Sequence, residues 1–325
     1  MKASAPGKII LFGEHAVVYG RPALAVPVTQ VHADVEITDA DSAGIWIQAP
    51  DIHLHAELNT LPSDHPIASV IHNLFFLSRV SPFPSLDISI ASTIPVASGL
   101  GSGAAVTVAL TRALSARIHY KMTNEQINAF AYEIEKLYHG TPSGIDNTVI
   151  TYAKPVYFIK RPLSPDRRGA GGEVETFQVA EPFTIVIGDT GIRAPTRESV
   201  GDVRKLWEAD KEKWESVFDQ VGMIANEARE KIESGKPALS TVEVWNELGE
   251  LMNQNHALLQ EMTVSSPELD QLVSAALNAG ALGAKMSGGG RGGNMIALVE
   301  SNQAEAIARS LMEAGAKHTI ITQVS

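Results

Sequence analysis

The 325 residues leave room for two domains of ordinary size, and 44% hydrophobic with 19% charged residues is a globular composition able to bury a substantial core. Lys plus Arg number 26 against 37 Asp plus Glu, a formal net charge of -11 that argues against nucleic acid or an anionic membrane as the main partner. Cysteine is absent, which excludes disulfides, thiolate nucleophiles and cysteine zinc sites.

From the N-terminus, the apolar run Ile9 to Phe12 is interrupted by Gly13-Glu14-His15, and no stretch reaches the ~20 apolar residues of a membrane span. Neither a signal peptide nor a membrane partner is expected, and the location read from this is cytoplasmic. Strands are predicted over Lys8 to Phe12 and within the β-rich stretch Ala25 to Ile47, with a helix near Ile67 to Leu77. Leu86 to Ala91 alternates apolar and polar as a half-buried strand does, and Ala104 to Ile118 carries Val106, Leu110 and Leu114 at helical spacing. Between them lies Pro95-Val-Ala-Ser-Gly-Leu-Gly-Ser-Gly-Ala-Ala105. Thr123 and Gln126 form a capping-box pattern opening a helix that stops at Gly140 before Pro142. Strands are read from Val149 to Ile159, a mobile surface loop over Arg161 to Gly172, and a strand over Phe183 to Ile187. From about Ser199 the pattern changes to long amphipathic helices anchored by Trp207, Trp214 and Phe218, which puts a domain boundary near Arg193. The remainder reads as helices Val242 to Met262 and Pro267 to Asn278, a glycine-dense loop Lys285 to Gly293, strand Asn294 to Val299, helix Gln303 to Ala314 and strand Thr319 to Val324.

The strand-to-helix junction at Gly99, Gly101 and Gly103 carries the clearest chemical signal. Free N–H groups and the positive end of the helix dipole face outward there, and residues without side chains let a polyanion approach the backbone. The run is neither a Walker A loop nor a Gly-x-Gly-x-x-Gly fingerprint. Five glycines in the six residues from Gly288 to Gly293 impose a large ordering cost that close approach to a ligand could offset. Lys8 begins a buried-looking strand and needs an anionic partner unless it snorkels from the strand end. Glu14-His15 follows that strand where side chains project into a cleft, although a solvated turn explains it equally well. Glu135 lies roughly 80° around its helix from Ile127, at the edge of the apolar stripe. Asp146, in Ser143-Gly-Ile-Asp-Asn147, is read as entering a strand from a tight turn, either as a turn former or as a functional carboxylate. No His-Glu-x-x-His pattern is present and His53-x-His55 lacks a further ligand, so a histidine zinc site is not indicated.

Pro6-Gly-Lys-Ile-Ile-Leu-Phe-Gly-Glu-His-Ala-Val-Val-Tyr-Gly20, the Gly99 loop, Glu135 to Asn147 and Lys285 to Gly293 together resemble, in family order, the GHMP small-molecule kinases. Asp189-Thr-Gly-Ile-Arg-Ala-Pro-Thr-Arg197 and Leu251-Met-Asn-Gln-Asn-His-Ala-Leu-Leu259 are similar to the branch that phosphorylates mevalonate, and the resemblance covers nearly the whole chain. It implies an α+β architecture with an N-terminal domain of the ribosomal-protein-S5 type over 1–193 and a C-terminal ferredoxin-like domain over 194–325. ATP and substrate would lie in the cleft between them. The implied reaction is phosphorylation of the 5-hydroxyl of (R)-mevalonate by MgATP in isoprenoid biosynthesis.

By the same correspondence Asp146 would be the catalytic carboxylate, with Lys8 beside it neutralising developing charge. Pro95, Gly99, Leu100, Gly101, Ser102, Gly103 and Ala104 would bind the phosphates of ATP, and Glu135 would help hold Mg²⁺. Glu14, His15, Thr196 and Gly289 would line the acceptor pocket. The family loop usually reads Gly-Leu-Gly-Ser-Ser-Ala-Ala, with its second serine on Mg²⁺; Gly103 stands there in this chain, so Ser102 or water is expected to complete the metal shell. Arg291 stands where a small residue is more usual and would reach a phosphate or extend into solvent. A homodimer is compatible with the family but specified by no motif. Rival readings are a GHMP kinase acting on homoserine, a sugar or phosphomevalonate, and a non-catalytic ligand-binding homologue; the Gly-Glu-His-Ala-Val-Val-Tyr signature favours mevalonate.

Overall fold

The computed structural model describes residues 1–95, 98–139, 142–160, 172–234 and 241–325. The expected loop Arg161 to Gly172 lies outside the described residues apart from its last residue, Gly172, which opens a strand. β1 (Lys2–Phe12) runs antiparallel to the 18-residue β2 (Pro22–Asp39), and their register shifts between Pro6 and Gly7. The other edge of β2 is shared by two strands, which is how a long strand serves a sheet of seven. β5 (Leu86–Ser92) pairs with its second half, and β6 (Val156–Lys160) with its first four residues. β3 (Ile45–Ala49) and β4 (Leu54–Glu57) extend the sheet beyond β5, and β7 (Gly172–Thr176) extends it beyond β6.

Four helices belong to this half: α1 (Pro66–Ser78), α2 (Ser102–Arg117), α3 (Asn124–His139) and α4 (Ile145–Tyr152). α2 lies on β1 and β2 beneath α1, α3 and α4, so it is buried on most of its circumference. Its alanines and hydroxyl residues suit that position, and the buried Thr111 hydroxyl donates to the Thr107 carbonyl at 2.7 Å. The capping box at α3 forms as expected: Gln126 N–H donates to Thr123 Oγ1 at 3.3 Å, and Thr123 N–H to Gln126 Oε1 at 2.9 Å. One expectation fails. Val149 to Tyr152 is helix, not strand, and Asp146 lies in the first turn of α4. Ile145, Val149 and Ile150 suit either element by residue type, but the first two, four apart, share a helical face packed against Val17, Ala23 and Ala25, while Ile150 packs into the larger core on another side.

The second half is a four-stranded antiparallel sheet of β8 (Phe183–Asp189), β9 (Gly283–Ser287), β10 (Asn294–Val299) and β11 (His318–Val324). Its order is β11-β8-β10-β9, the expected ferredoxin-like arrangement. β8 therefore joins this sheet although it precedes the boundary expected at residue 193; the change of sheet falls between Thr176 and Phe183. Lys285 to Ser287 belong to β9, so the glycine-dense loop is confined to residues 288–293. The helices are α5 (Thr196–Ala209), α6 (Lys211–Ser234), α7 (Thr241–Glu261), α8 (Pro267–Asn278) and α9 (Ala304–Glu313). No described helix is long and apolar enough to cross a membrane.

Alternation along β8 and β10 joins the two halves. Ile185, Ile187, Ile296 and Leu298 share one core with Ile9, Leu24 and Val26 of the first sheet, while Val186, Met295 and Ala297 face Leu272, Ile307 and Leu311 of the helices behind. Both faces of β10 are covered, and all six of its residues are buried. α7 crosses β9 at a glycine pair: a Cβ on Gly249 would lie 2.2 Å from the Leu282 carbonyl oxygen, and one on Gly283 would lie 2.1 Å from the Gly249 carbonyl oxygen. Backbone cannot give way as a flexible side chain can, so Gly249→Ala is expected to cost roughly 1–3 kcal/mol. Thermal unfolding should show it as a midpoint lowered by roughly 3–10 °C; an unchanged midpoint would refute the tight crossing.

Candidate active site

The site begins where β1 leaves its ladder. At the register shift the Lys8 amide turns from β2 and donates to the Leu100 carbonyl at 2.9 Å, fastening the glycine loop to the strand. A Cβ on Gly7 would sit 3.3 Å from that same carbonyl oxygen. The Lys8 side chain is 5% exposed and its Nζ lies 3.0 Å from Asp146 Oδ1. An ammonium removed from water requires such a partner. Gly101 makes room for it: its φ is +77°, and a Cβ there would lie 2.8 Å from Ile150 Cδ1 and 3.0 Å from Lys8 Cγ.

α2 starts at Ser102 with Gly101 as N-cap, no side-chain cap and no acidic residue in its first turn. The N–H groups of Ser102, Gly103 and Ala104 are thus presented at the positive end of the helix. Gly99 also has positive φ, and Ser98 Oγ donates to the Pro95 carbonyl at 2.9 Å, closing the entry to the loop. Leu100 is buried, an anchor for the loop rather than a contact surface. Glu135 of α3 faces the same place, since a Cβ on Gly103 would lie 3.8 Å from its Oε1. Burial, and then the Asp146 charge, push the Glu135 carboxyl up to about 7 against the opposing pull of Lys8. Two carboxylates and one ammonium therefore converge beneath the start of α2.

Beside Ser102 and Gly103 opens a cavity of about 190 Å³ walled by Ile52, Ile67, Val70, Ile90 and Val106. This slot was not read from the sequence. Its walls come from four separated segments, and no local pattern marks them as neighbours.

The opposite wall is made by the Gly13 to His15 turn and the second half of the chain. Glu14 was expected to line a pocket, but it is buried in an ion pair with Lys285 of β9, both side chains having no exposure. Lys285 Nζ also donates to the Met286 carbonyl at 2.7 Å. Burial pushes the Glu14 carboxyl up and the Lys285 ammonium down, each opposed by the partner's charge. A carboxylate this deep takes the strongest available cation, which withdraws it from solvent. Lys285 was noted only as the start of a loop; a lone lysine in Gly-Ala-Lys-Met-Ser, a strand buried throughout, was the signal for its role.

His15 follows at φ +61° and its Nε2 pairs with the Gly289 carbonyl oxygen at 3.1 Å, the ring nitrogen donating. Burial lowers its pKa to about 4, against the pull of the Gly289 carbonyl and with help from the Arg291 charge. The ring is neutral at ordinary pH. Thr196, exposed at the start of α5, abuts Gly289, where a Cβ would lie 2.7 Å from its Oγ1. Ser287 Oγ donates to the Ile10 carbonyl at 2.7 Å, and Asn294 Nδ2 to the Ser98 carbonyl at 2.5 Å, so the two glycine loops meet directly. The Arg291 side chain, about one third exposed, turns onto α5, where its Nη1 donates to Asp202 Oδ2 at 2.6 Å.

The chain matches the model of the GHMP kinases N terminal domain over residues 67–154 and that of the GHMP kinases C terminal over 237–317. It belongs to the GHMP kinase family, and its two-domain architecture is that family's. Similarity over nearly the full length is to mevalonate kinases, 36% identity with that of Pyrococcus abyssi and 37% with that of Pyrococcus horikoshii. Each alignment covers 99% of this chain and 95% of the relative. The crystal structure of L. major mevalonate kinase in complex with R-mevalonate superposes with a TM-score of 0.82 at 30% identity, over 100% of this chain and 96% of that one. The chain's branch of the family is that of the mevalonate kinases.

The unfolded chain protonates His15 near pH 6.5, the folded one only near 4. Its contribution to folding is therefore complete above 6.5 and is lost as pH falls toward 4, by on the order of 3 kcal/mol. Denaturant unfolding of wild type and His15→Gln at pH 7 and pH 5 should show a smaller acid loss in the variant; equal losses would contradict a buried neutral ring.

Proposed function

We propose that this chain transfers the γ-phosphoryl group of ATP to the 5-hydroxyl of (R)-mevalonate, giving 5-phosphomevalonate and ADP. The observation that carries this reading is the Lys8–Asp146 pair set against the N-terminus of α2. The N–H groups of Ser102, Gly103 and Ala104 bind the triphosphate, with Gly99 and Gly101 permitting its approach and Pro95 and Leu100 fixing the loop's ends. The apolar slot beside them accepts the nucleoside base. Asp146 takes the proton of the acceptor hydroxyl as oxygen attacks phosphorus, while Lys8 faces the charge that spreads over the transferring group.

Mg²⁺ suits the donor set. Glu135 and Asp146 offer hard carboxylate oxygens, and among the described residues no group of three or more His, Cys, Asp or Glu forms a closed metal cage. Such a site matches an ion that keeps waters and shares phosphate oxygens. Glu135 would hold it together with the Ser102 hydroxyl or a water. When bound, the ion would neutralise phosphate charge. His15, Thr196 and the Gly289 carbonyl form the acceptor wall, and Glu14 supports that wall from behind through Lys285. A cytoplasmic location and a homodimer belong to the same reading and rest on family membership.

Coupled ADP release should depend on (R)-mevalonate and be far slower with homoserine, galactose or 5-phosphomevalonate. Turnover only with another acceptor would overturn the substrate, and binding of ATP without turnover would leave a non-catalytic homologue. Because Glu135 in the metal-free site takes a proton near pH 7, metal must displace that proton at lower pH. The Mg²⁺ concentration for half-maximal activity should rise by up to roughly tenfold per pH unit below 7, and calorimetric Mg²⁺–ATP binding should weaken in parallel. Gly103→Ser would put a hydroxyl beside Glu135 Oε1 and should lower that concentration; no change at all would remove position 103 from the metal shell.

A further inference from the structure

The loop between β9 and β10 is packed on both sides. A Cβ at Gly290 would lie 1.9 Å from the Val264 carbonyl oxygen and one at Gly292 2.5 Å from that of Ile192, in addition to the Gly289 contact with Thr196. Arg291 is the one residue from 288 to 293 with a side chain, and it too has positive φ, +59°. It makes three bonds: its amide donates to the Val264 carbonyl at 2.7 Å, its Nε to the Thr263 carbonyl at 3.3 Å, and its Nη1 to Asp202 Oδ2 at 2.6 Å. Asp202 lies on α5, less than two turns beyond Thr196, and its other carboxylate oxygen is held by Lys205 at 2.8 Å. The first turns of α5 are thus joined to the loop twice, by Thr196 against Gly289 and by Asp202 on Arg291.

We infer that Arg291 and Asp202 are positioning residues for the acceptor site, a clamp that makes the glycine loop and the start of α5 one unit and so fixes Thr196 and the Gly289 carbonyl opposite His15. The inference rests on the functional reading above for what that wall binds. Both side chains are about one third exposed (33% and 37%) and lie outside the reacting centre. An isolated pair of that exposure contributes little. Here it closes a segment whose five glycines would otherwise sample many conformations, and a wall that must be ordered at each binding event weakens affinity for what it binds. The chemistry itself runs through Lys8 and Asp146, so the effect falls on acceptor binding and not on the phosphoryl-transfer step.

The test is a double-mutant cycle of Arg291→Ala and Asp202→Ala, read by steady-state kinetics with (R)-mevalonate at saturating MgATP and by hydrogen exchange of amides 289–293 in the unliganded enzyme. Each single variant should raise the acceptor KM about three- to fivefold with kcat within about twofold. The double variant should be no worse than either single, because both remove one interaction, and amide exchange should speed up in all three. Unchanged KM and unchanged exchange in the singles, strictly additive losses, or a fall in kcat at constant KM would each overturn the clamp. If wild type does not use mevalonate, the functional reading fails, and exchange in the free protein still decides the clamp.

Discussion

A lysine side chain 5% exposed in the interior of β1 is the constraint around which the first half of the molecule is arranged. Its ammonium can be kept there only with a carboxylate in contact, and Asp146 supplies it from the first turn of α4. Several otherwise separate features serve that arrangement. β1 shifts register at Gly7, the Lys8 amide leaves the ladder for Leu100, and Gly101 takes positive φ without a Cβ so that the lysine stem and Ile150 fit beside it. The glycine loop is therefore anchored to Lys8 by the backbone that carries it. The N-terminus of α2, where phosphates would bind, has a fixed relation to the carboxylate that would take the proton, which is the positioning on which phosphoryl transfer depends.

The second half is tied on by a different kind of contact. The Glu14–Lys285 pair is wholly buried, and replacing such a pair with apolar residues of similar volume is often neutral or stabilising, whereas removing one partner is costly. Its value lies in what it aligns. Lys285 also holds the Met286 carbonyl, Ser287 holds Ile10, and Asn294 holds Ser98, so both ends of the second glycine loop are registered against β1 and the first loop. His15, the neighbour of Glu14, then meets the Gly289 carbonyl as a neutral donor. Non-polar packing of β8 and β10 onto the first core supplies the adhesion, and the polar contacts select one relative placement.

Much of this was legible in the sequence where the signal is local. Alternation from Leu86 to Ala91, the capping box at Thr123 and the glycine junction at Gly99 to Gly103 each reflect steric or hydrogen-bonding rules acting within a few residues, and each element formed where expected. Reading Val149 to Tyr152 as strand failed because an eight-residue helix rich in β-branched residues offers too few turns for its period to show. What the sequence could not carry was juxtaposition. The apolar slot draws on Ile52, Ile67, Ile90 and Val106, Arg291 finds Asp202 across 89 positions, and Asp189 of β8 pairs with both Asn294 of β10 and His318 of β11. Glu14 illustrates the same limit: its residue type suited a pocket, and only the arrival of Lys285 from the other half removes it from solvent.

Proton removal from the acceptor hydroxyl is the role proposed for Asp146, and single-turnover phosphoryl transfer by Asp146→Asn measures it most directly. The asparagine is nearly isosteric and leaves the phosphate-binding N–H groups of α2 untouched. At saturating MgATP and mevalonate, which sets aside any change in affinity from losing the charge beside Lys8, the rate of 5-phosphomevalonate formation should fall about 10²- to 10⁴-fold. A variant that binds both substrates and transfers at the wild-type rate would contradict the assignment and move the chemistry elsewhere in the cleft.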